Sequence, residues 1–436
     1  MANILLIYPS PELHKDWRFG FSLNLLYLSS ILKQAGHNVF FRDYSVENLD
    51  LNLLSKLLSQ VEIAIIEFDS FPLKRSLNIH NGEFLTNFIK KKYKDISTIA
   101  IGYDCILQPR DILNVDCVLV QEPEKSIVYV IERLLGKMDI NNQALSLVSL
   151  DELDDLPFPD RTILSSYAEH GGTITRDPKL AKSTLIQTSR GCMNTCRFCQ
   201  RKGWAKKYQE HSIQYVANEF KEIAESGYIN VWINDDNFTF NLKRAKNLLR
   251  RLIDEKLTKG MHLALSSWTN IDFEFLELAQ KANVSIISTG IESTNQEILN
   301  FYNKKINLDK VEELVSFADR LGVYVVGNFI IGAPMETEET INDTFEYAMR
   351  VPFDQVNIKI LDYMIGSDLY ATLPPEMHDD KRHIFACLEN GLNHFPIEYQ
   401  KGRINDFQKQ FRISRKEKFI NKVNHFGLPY LLNNNF

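Results

Sequence analysis

The chain alternates short, continuous apolar runs with longer segments in which apolar residues recur at helical spacing. The first run, NILLIY (3–8), is followed by a helical pattern over 22–37, which stops at Gly36, and by a second apolar run over 38–44. Further helices are predicted over 48–60 and beyond, up to residue 136. Apolar strands separated by helices are typical of a parallel sheet covered on both faces. The pattern predicts a doubly wound, Rossmann-like α/β domain over 1–136.

The character of the sequence changes twice after this domain. Residues 137–182 include the acidic, proline-punctuated stretch DELDDLPFPDR and a turn-rich stretch, which predict a linker or a wrapping segment. From residue 183 six strand–helix units follow, whereas a complete (β/α)₈ barrel has eight. We therefore predict a partial, TIM-like (β/α)₆ barrel over 183–375. The C-terminal extension, 376–436, is polar with scattered aromatic residues and shows no clear period.

Composition narrows the class of protein. The length of 436 residues exceeds what one hydrophobic core usually supports, which favours two domains. The net charge of −6 provides no broad cationic field for nucleic acid or anionic lipid. No apolar stretch is long enough for a membrane span, the N-terminus has no leader pattern, and six cysteines do not suggest a disulfide framework. We expect a cytoplasmic protein with reduced thiols.

Half of the cysteines lie in one short stretch, SRGCMNTCRFCQ (189–200). Cys192, Cys196 and Cys199 follow the first strand of the predicted barrel, on the face where such barrels build active sites. Buried packing cysteines would be scattered, and a structural zinc site needs four ligands, for which no second pair is visible. A [4Fe–4S] cluster prefers four thiolates, so three would leave one iron open to an exchangeable ligand. The spacing favours the cluster over the other two interpretations.

The C-x₃-C-x₂-C spacing, with the aromatic Phe198 before the last cysteine, resembles the motif of the radical S-adenosylmethionine (SAM) enzymes. The resemblance implies that SAM chelates the open iron through its amino and carboxylate groups. An electron from the cluster would then cleave the sulfonium C–S bond and give a 5′-deoxyadenosyl radical. It also implies a low-potential electron donor such as flavodoxin or ferredoxin, and a small-molecule or peptide substrate.

Three further segments resemble parts of the same family, in the same order: DDNFTFN (235–241), GIES (290–293) and FIIGAPMETEET (329–340). By this likeness, polar groups of SAM would contact Asp235 and the strand-end pair Glu292 and Ser293. The adenine would lie near Ile331, Gly332 and Ala333. Asp235 could orient the SAM ammonium or act as a general base, whereas Asp236 is read as the cap of the next helix. The family's arginine after the third strand is missing, because Ser267 or Thr269 stands there.

The order of the parts resembles the cobalamin-binding-domain subfamily of these enzymes, over roughly residues 3–375. In the first domain, Gly102 is the candidate for backbone contact with cobalamin. Tyr103 and Pro123 stand where relatives have glycine, so cobalamin binding and a degenerate domain that only shapes the cavity both stay open. The subfamily implies a cobalamin-dependent methyltransferase acting on an unactivated carbon. The alternatives are a cobalamin-independent radical SAM cyclase, mutase or lyase, and a non-catalytic metal-binding or regulatory protein.

Overall fold

The structure is a computed structural model, and it describes residues 1–10, 21–68, 78–107, 109, 112, 114–120, 122–137, 152–170, 183–203, 207–378 and 383–426. The chain divides into two compact units. The first comprises Met1–Ile186 with Glu210–Ser212, and the second comprises Gln187–Gln209 with Ile213–Phe436.

The first unit contains a five-stranded parallel sheet with the strand order β2-β1-β3-β4-β5. Alternate residues of the first strand enter two separate cores: Ile4 and Leu6 pack on one face of the sheet, and Leu5 and Ile7 on the other. This double burial is why the strand is a continuous apolar run in the sequence. The strands are β1 (Asn3–Tyr8), β2 (Asn38–Asp43), β3 (Ile63–Glu67), β4 (Ser97–Ile101) and β5 (Cys117–Val118).

The helices of this unit begin at polar caps that the sequence contains. Asp50 accepts hydrogen bonds from the backbone N–H groups of Asn52 and Leu53, so the helix predicted over 48–60 begins later, at Leu51. Gly36, at φ +84°, follows the end of the first helix, as its position in the sequence predicts. The helices are α1 (Leu23–Gln34), α2 (Leu51–Leu58), α3 (Ile79–Lys92), α4 (Tyr103–Leu107) and α5 (Ile127–Leu135).

Part of the proline-punctuated segment predicted as a linker packs onto the first unit. Asp160 accepts a hydrogen bond from the Ser29 hydroxyl (2.5 Å) and pairs with Lys33 (2.6 Å), which fixes the segment to α1. Tyr167 is buried and donates a hydrogen bond to Glu47 at 2.7 Å. Residues 152–170 therefore wrap around the domain. Residues 138–151 and 171–182 of the same segment lie outside the described residues.

The larger sheet has six strands in the order β13-β12-β11-β10-β9-β6. The pairs from β9 to β13 are parallel, and helices connect successive strands. The prediction of an α/β fold with a Rossmann-like sheet followed by a partial barrel is confirmed. The strands are β6 (Ser183–Ile186), β9 (Asn230–Ile233), β10 (His262–Ser267), β11 (Val284–Glu292), β12 (Tyr324–Ile331) and β13 (Gln355–Ile360).

Shorter elements and helices complete this part of the chain. The apolar run QVNIKILDY (355–363) predicts one strand, but the structure has two, because a short strand follows β13 and pairs antiparallel with another. The short strands are β7 (Ser189–Arg190), β8 (Gln209–Glu210), β14 (Asp362–Met364) and β15 (His383–Phe385). The helices are α6 (Ile213–Glu225), α7 (Leu242–Asp254), α8 (Phe273–Lys281), α9 (Gln296–Phe301), α10 (Leu308–Arg320), α11 (Glu338–Arg350) and α12 (Asp368–Ala371).

Most of the described part of the C-terminal extension forms the long helix α13 (Ile397–Phe426), although its sequence shows no clear period. Phe407, Phe411 and Phe419 are buried at helical spacing. Arg415 lies in the same stripe and donates hydrogen bonds to carbonyls that follow α11, including that of Val351 at 3.1 Å. The helical period of this stripe is hard to see in the sequence because Arg415 interrupts its apolar residues. The helix covers the edge strand β13, where Gln408 donates to the Val356 carbonyl at 2.7 Å.

None of the helices in the described residues combines the length and the apolar composition that a membrane span requires.

Candidate active site

The three clustered cysteines lie in the loop that follows β7. Gly191 opens this loop at φ +86°, and a Cβ atom there would collide with the backbone carbonyl oxygen of Lys207. Only glycine fits this position without displacing backbone. Cys196 is 6% exposed, and Cys192 and Cys199 are partly buried.

The three thiols lie close enough to influence one another's charge. Burial raises the pKa of Cys196 to about 12, Lys304 opposes that rise, and charge on Cys199 and Cys192 adds to it. Burial also raises the pKa of Cys192. Cys192 and Cys196 therefore keep their protons until a metal centre displaces them. The donor set suits a soft, thiolate-preferring centre.

The arrangement of ligands bears on the choice between zinc and a cluster. Nowhere in the described ranges are three cysteine, histidine or carboxylate side chains grouped so that they could hold a single metal ion. In a [4Fe–4S] cluster each thiolate binds a different iron, so its ligands stand further apart than the ligands of one ion. Three cysteines that bind three different irons therefore remain the prediction for this loop.

Asp235 lies just after β9, and its carboxylate holds the chain that leads into the cysteine loop. It accepts hydrogen bonds from the backbone N–H groups of Thr188 (2.6 Å) and Ser189 (3.0 Å). It also accepts from both hydroxyls, at 2.5 Å and 2.7 Å. The side chain is buried, which raises its pKa, and the donated bonds oppose that rise. These contacts favour a positioning role, and the role of Asp235 as a general base or SAM contact stays a prediction.

We expect Asp235→Asn to lower both thermal stability and iron content. The amide would turn a donor toward groups that are themselves donors, and each lost bond to a charged acceptor is worth about 1.5–3 kcal/mol. Thermal unfolding of the apoprotein and iron per polypeptide after anaerobic reconstitution measure the effect. Asp254→Asn, at the exposed end of α7, is the matched control. Unchanged stability and iron, with only 5′-deoxyadenosine formation lost, would instead support a catalytic role.

Asp236 does not cap the next helix, contrary to the expectation from the sequence. The cap of α7 is Asn241, whose side chain accepts from the backbone N–H of Arg244. Asp236 instead accepts a hydrogen bond from the Gly191 N–H at 3.0 Å and pairs with Arg201. The two acidic residues after β9 therefore hold the chain at the cysteine loop and just before it, and Asn241, directly before α7, is the residue placed to cap that helix.

Glu292 ends β11 with a backbone φ of +70°, which is unusual for a residue other than glycine. Its carboxylate pairs with the ammonium of Lys304 at 2.6 Å, and both side chains are almost fully buried. A Cβ atom on Gly290 would collide with this pair, so the glycine of GIES leaves room for it. The burial of Lys304 was not predicted from the sequence, because two adjacent lysines after an asparagine are typical of a solvent-exposed turn.

Ser293, the next residue after Glu292, and Phe198, in the cysteine loop, have different partners. The Ser293 hydroxyl accepts a hydrogen bond from the Asn295 N–H at 3.1 Å, at the start of α9. The Phe198 ring meets Tyr302 edge to face, with centroids 5.3 Å apart. Tyr302 is fully buried, and among the described residues its hydroxyl has no hydrogen-bond partner. A buried hydroxyl without a partner near Glu292 is expected where a bound polar ligand supplies the missing hydrogen bond.

Ile331 ends β12, and Gly332 and Ala333 form the turn that follows it. Gly332 has φ +98°, and a Cβ there would lie 2.7 Å from the Gln400 side-chain oxygen. The buried carboxylate of Glu336 accepts from the N–H groups of Gly332 (3.1 Å) and Ala333 (3.2 Å). The C-terminal extension holds the same turn, since Asn393 donates to the Ala333 carbonyl at 2.6 Å. Neither Asn393 nor Gln400 was predicted, because their partner is remote in sequence.

The sheet face that includes Gly290 carries polar, partly exposed side chains. Asn328 donates to the Ser288 hydroxyl at 2.9 Å, and Asn357 donates to the Asn328 oxygen at 3.0 Å. These residues occupy alternate positions to Ile287 and Val325, which face the helices. A complete barrel fills its interior with bulky apolar side chains. The polar row therefore indicates a face that binds a polar ligand.

Gly102, the candidate for cobalamin contact, lies in the first unit. It directly follows β4 and has φ +110°, a backbone conformation that favours glycine. Tyr103 begins α4, and Pro123 begins a short 3₁₀ helix, Pro123–Lys125.

Comparison with known families identifies a large part of the second unit. The family model described as the radical SAM superfamily matches residues 186–348. This range contains the three clustered cysteines and the segments at Asp235, Glu292 and Gly332.

Individual relatives extend over most of the chain. The cytidylyl-2-hydroxyethylphosphonate methyltransferase of Streptomyces wedmorensis is 29% identical over 92% of this chain and 86% of its own length. An uncharacterised methyltransferase of Pyrococcus horikoshii is 24% identical over 85% of this chain and 83% of its own. Among solved structures, the radical SAM methyltransferase TsrM from Kitasatospora setae, with cobalamin and a [4Fe–4S] cluster bound, superposes with a TM-score of 0.68. That match is 16% identical and covers 85% of this chain and 77% of TsrM.

Proposed function

The chain contains a radical SAM domain and is an enzyme of that superfamily, and on this premise we propose that it is a cobalamin-dependent methyltransferase. The substrate would be a small molecule or a peptide with an unactivated carbon. The likeness to the Streptomyces wedmorensis methyltransferase carries this proposal, because it extends over 92% of the chain and so includes both units. The resemblance to radical SAM enzymes that the cysteine motif predicted is confirmed.

Each part of the candidate site has a task in this proposal. Cys192, Cys196 and Cys199 hold the cluster, and Asp235 fixes the loop that carries them. Glu292 and the turn 331–333 bind SAM. When bound, the cluster and SAM supply a 5′-deoxyadenosyl radical after one electron arrives from an external low-potential donor, such as a flavodoxin or ferredoxin. The polar row at Ser288, Asn328 and Asn357 orients a polar substrate.

The first unit supports cobalamin binding at its strand ends. Its strand order is that of doubly wound folds in which ligands bind beyond the carboxyl ends of the strands. Gly102 lies at such an end, and the lack of a side chain lets a flat group approach the backbone. Residues near Gly102 would thus hold the cofactor through backbone contacts.

We expect the protein, purified without oxygen in the presence of hydroxocobalamin, to retain corrin absorbance after gel filtration. Gly102→Ala should weaken this binding by about tenfold, or about 1.4 kcal/mol, because the added carbon lies where the ring would approach. Gly36→Ala is the matched control, since Gly36 also has a positive φ but has open space around its Cβ position. Absence of corrin from the wild-type protein would contradict the cobalamin part of the proposal.

The products separate methyl transfer from other radical chemistry. Methyl transfer to an unactivated carbon consumes SAM as a methyl donor, which leaves S-adenosylhomocysteine, and as a radical source, which leaves 5′-deoxyadenosine. Reduced enzyme should form both in the presence of substrate. A deuterated methyl group on SAM would mark the product by mass. Formation of 5′-deoxyadenosine alone would support the second candidate.

The second candidate, a cobalamin-independent cyclase, mutase or lyase, is favoured by one observation. Phe68 directly follows β3, beside the point where the strand order reverses, and is wholly buried against Gly82. A large side chain there occupies space near the strand ends. Tyr103 and Pro123, which stand where relatives have glycine, also favour a first unit without cobalamin.

A further inference from the structure

The connection between α9 and α10 is fastened to the cysteine loop. The backbone N–H of Arg197 donates to the Tyr302 carbonyl at 3.0 Å. The Asn303 side chain donates to the hydroxyl and the carbonyl oxygen of Thr195, at 2.8 Å and 3.1 Å. These bonds place the next residue, Lys304, beside the loop residue Cys196.

The ammonium group of Lys304 is held in a closed environment. Its side chain is 3% exposed, and its nitrogen lies 2.6 Å from the Glu292 carboxylate. The same nitrogen lies 4.3 Å from the centroid of the Trp268 ring, close enough for a cation–π contact. The neighbouring Lys305 is exposed. The sequence therefore has two adjacent lysines, of which only one is buried.

Stability alone does not account for this buried pair. Removing two charges from water is expensive, and well-packed apolar residues of similar volume are often as stable or more so. The two charges of the pair do, however, lie on different segments. Thr195 and Arg197, which flank Cys196, are hydrogen-bonded to Asn303 and Tyr302, the two residues before Lys304. The cation of the pair is thus the charge that these bonds hold next to the Cys196 ligand.

We propose that Lys304 is a positioning residue that places a positive charge beside the Cys196 ligand of the cluster and raises the cluster's reduction potential. One electron from the external donor adds one negative charge to the cluster, and a nearby cation stabilises that reduced state. Net charge and burial are among the factors that set iron–sulfur potentials. The inference rests on the presence of the cluster in the proposed function, and is independent of cobalamin and of methyl transfer.

The test compares midpoint potentials, measured by EPR-monitored redox titration of the reconstituted protein without SAM. Lys304→Met should make one-electron reduction about tenfold less favourable, which corresponds to a potential about 59 mV more negative. Lys304→Arg, which keeps the charge, should restore a potential near that of the wild type. Lys305→Met is the matched control and should leave the potential unchanged.

Iron content is measured first for every variant, because loss of the pair could prevent cluster loading. If Lys304→Met loads no iron, Glu292→Gln takes its place, and removal of the negative partner should shift the potential in the positive direction. If Lys304→Met loads iron but has the same midpoint potential as Lys305→Met, the inference is overturned. A negative shift, or no shift, of the potential in Glu292→Gln would overturn it as well. A wild-type protein that loads no iron would instead overturn the proposed function itself.

Discussion

Replacing Cys196 with alanine should abolish iron loading and reduce 5′-deoxyadenosine formation to background. Cys196 is the most buried thiol of the loop, at 6% exposure, and the loop bonds at Thr195 and Arg197 fix its neighbours on either side. No other thiol can move in to replace it, since the remaining cysteines of the site already have places in the proposed ligand set. A cluster held by two thiolates would lose iron during reconstitution.

Iron and sulfide per polypeptide, the reduced-state EPR spectrum and the 5′-deoxyadenosine yield measure this effect. Cys117→Ala is the control, because Cys117 is an equally buried thiol in β5 of the first unit and should leave all three unchanged. Thermal unfolding of both apoproteins should show that each variant folds. Retention of the full EPR signal by Cys196→Ala would remove Cys196 from the ligand set.

Local patterns in the sequence predicted the architecture well. The apolar run HLALSS (262–267) predicts a strand with the bounds that β10 has, His262–Ser267, because a strand in a covered sheet is recognisable from its own residues. The cysteine loop was equally visible, since its three thiols are contiguous and follow a predicted strand. These features depend on neighbours in the chain, and a single sequence contains that information.

Contacts between remote residues could not be predicted in the same way. The burial of Lys304 depends on Glu292 and Trp268, which come from two different strand ends. The carboxylate of Asp235 is directed to residues almost fifty positions earlier, which single-sequence patterns do not reveal. The helix α13 was missed for a related reason: Arg415 occupies its buried stripe because carbonyls after α11 accept its hydrogen bonds.

Replacing Asp354 with alanine should cause the largest loss of stability among the proposed variants. Its carboxylate is fully buried just before β13, where it accepts from the Val325 N–H at 2.8 Å. It also pairs with two lysines of α13, Lys422 at 2.7 Å and Lys418 at 3.2 Å. Without Asp354, Lys422 would keep only Asp319 as an anionic partner, at 2.9 Å. Breaking a buried ion pair typically costs about 3–5 kcal/mol.

Chemical denaturation of the apoprotein measures this cost. Glu398→Ala removes an exposed pair with Lys401 on the same helix and should change the unfolding free energy by less than about 1 kcal/mol. Combining Asp354→Ala with Lys422→Met should recover much of the loss, because it removes both buried charges together. The helix α13 packs on the edge strand β13, and Gln400 near its start lies next to Gly332. Destabilised packing of α13 should therefore also weaken SAM binding. An Asp354→Ala protein as stable as Glu398→Ala would show that the ion pairs of Asp354 do not stabilise the packing of α13.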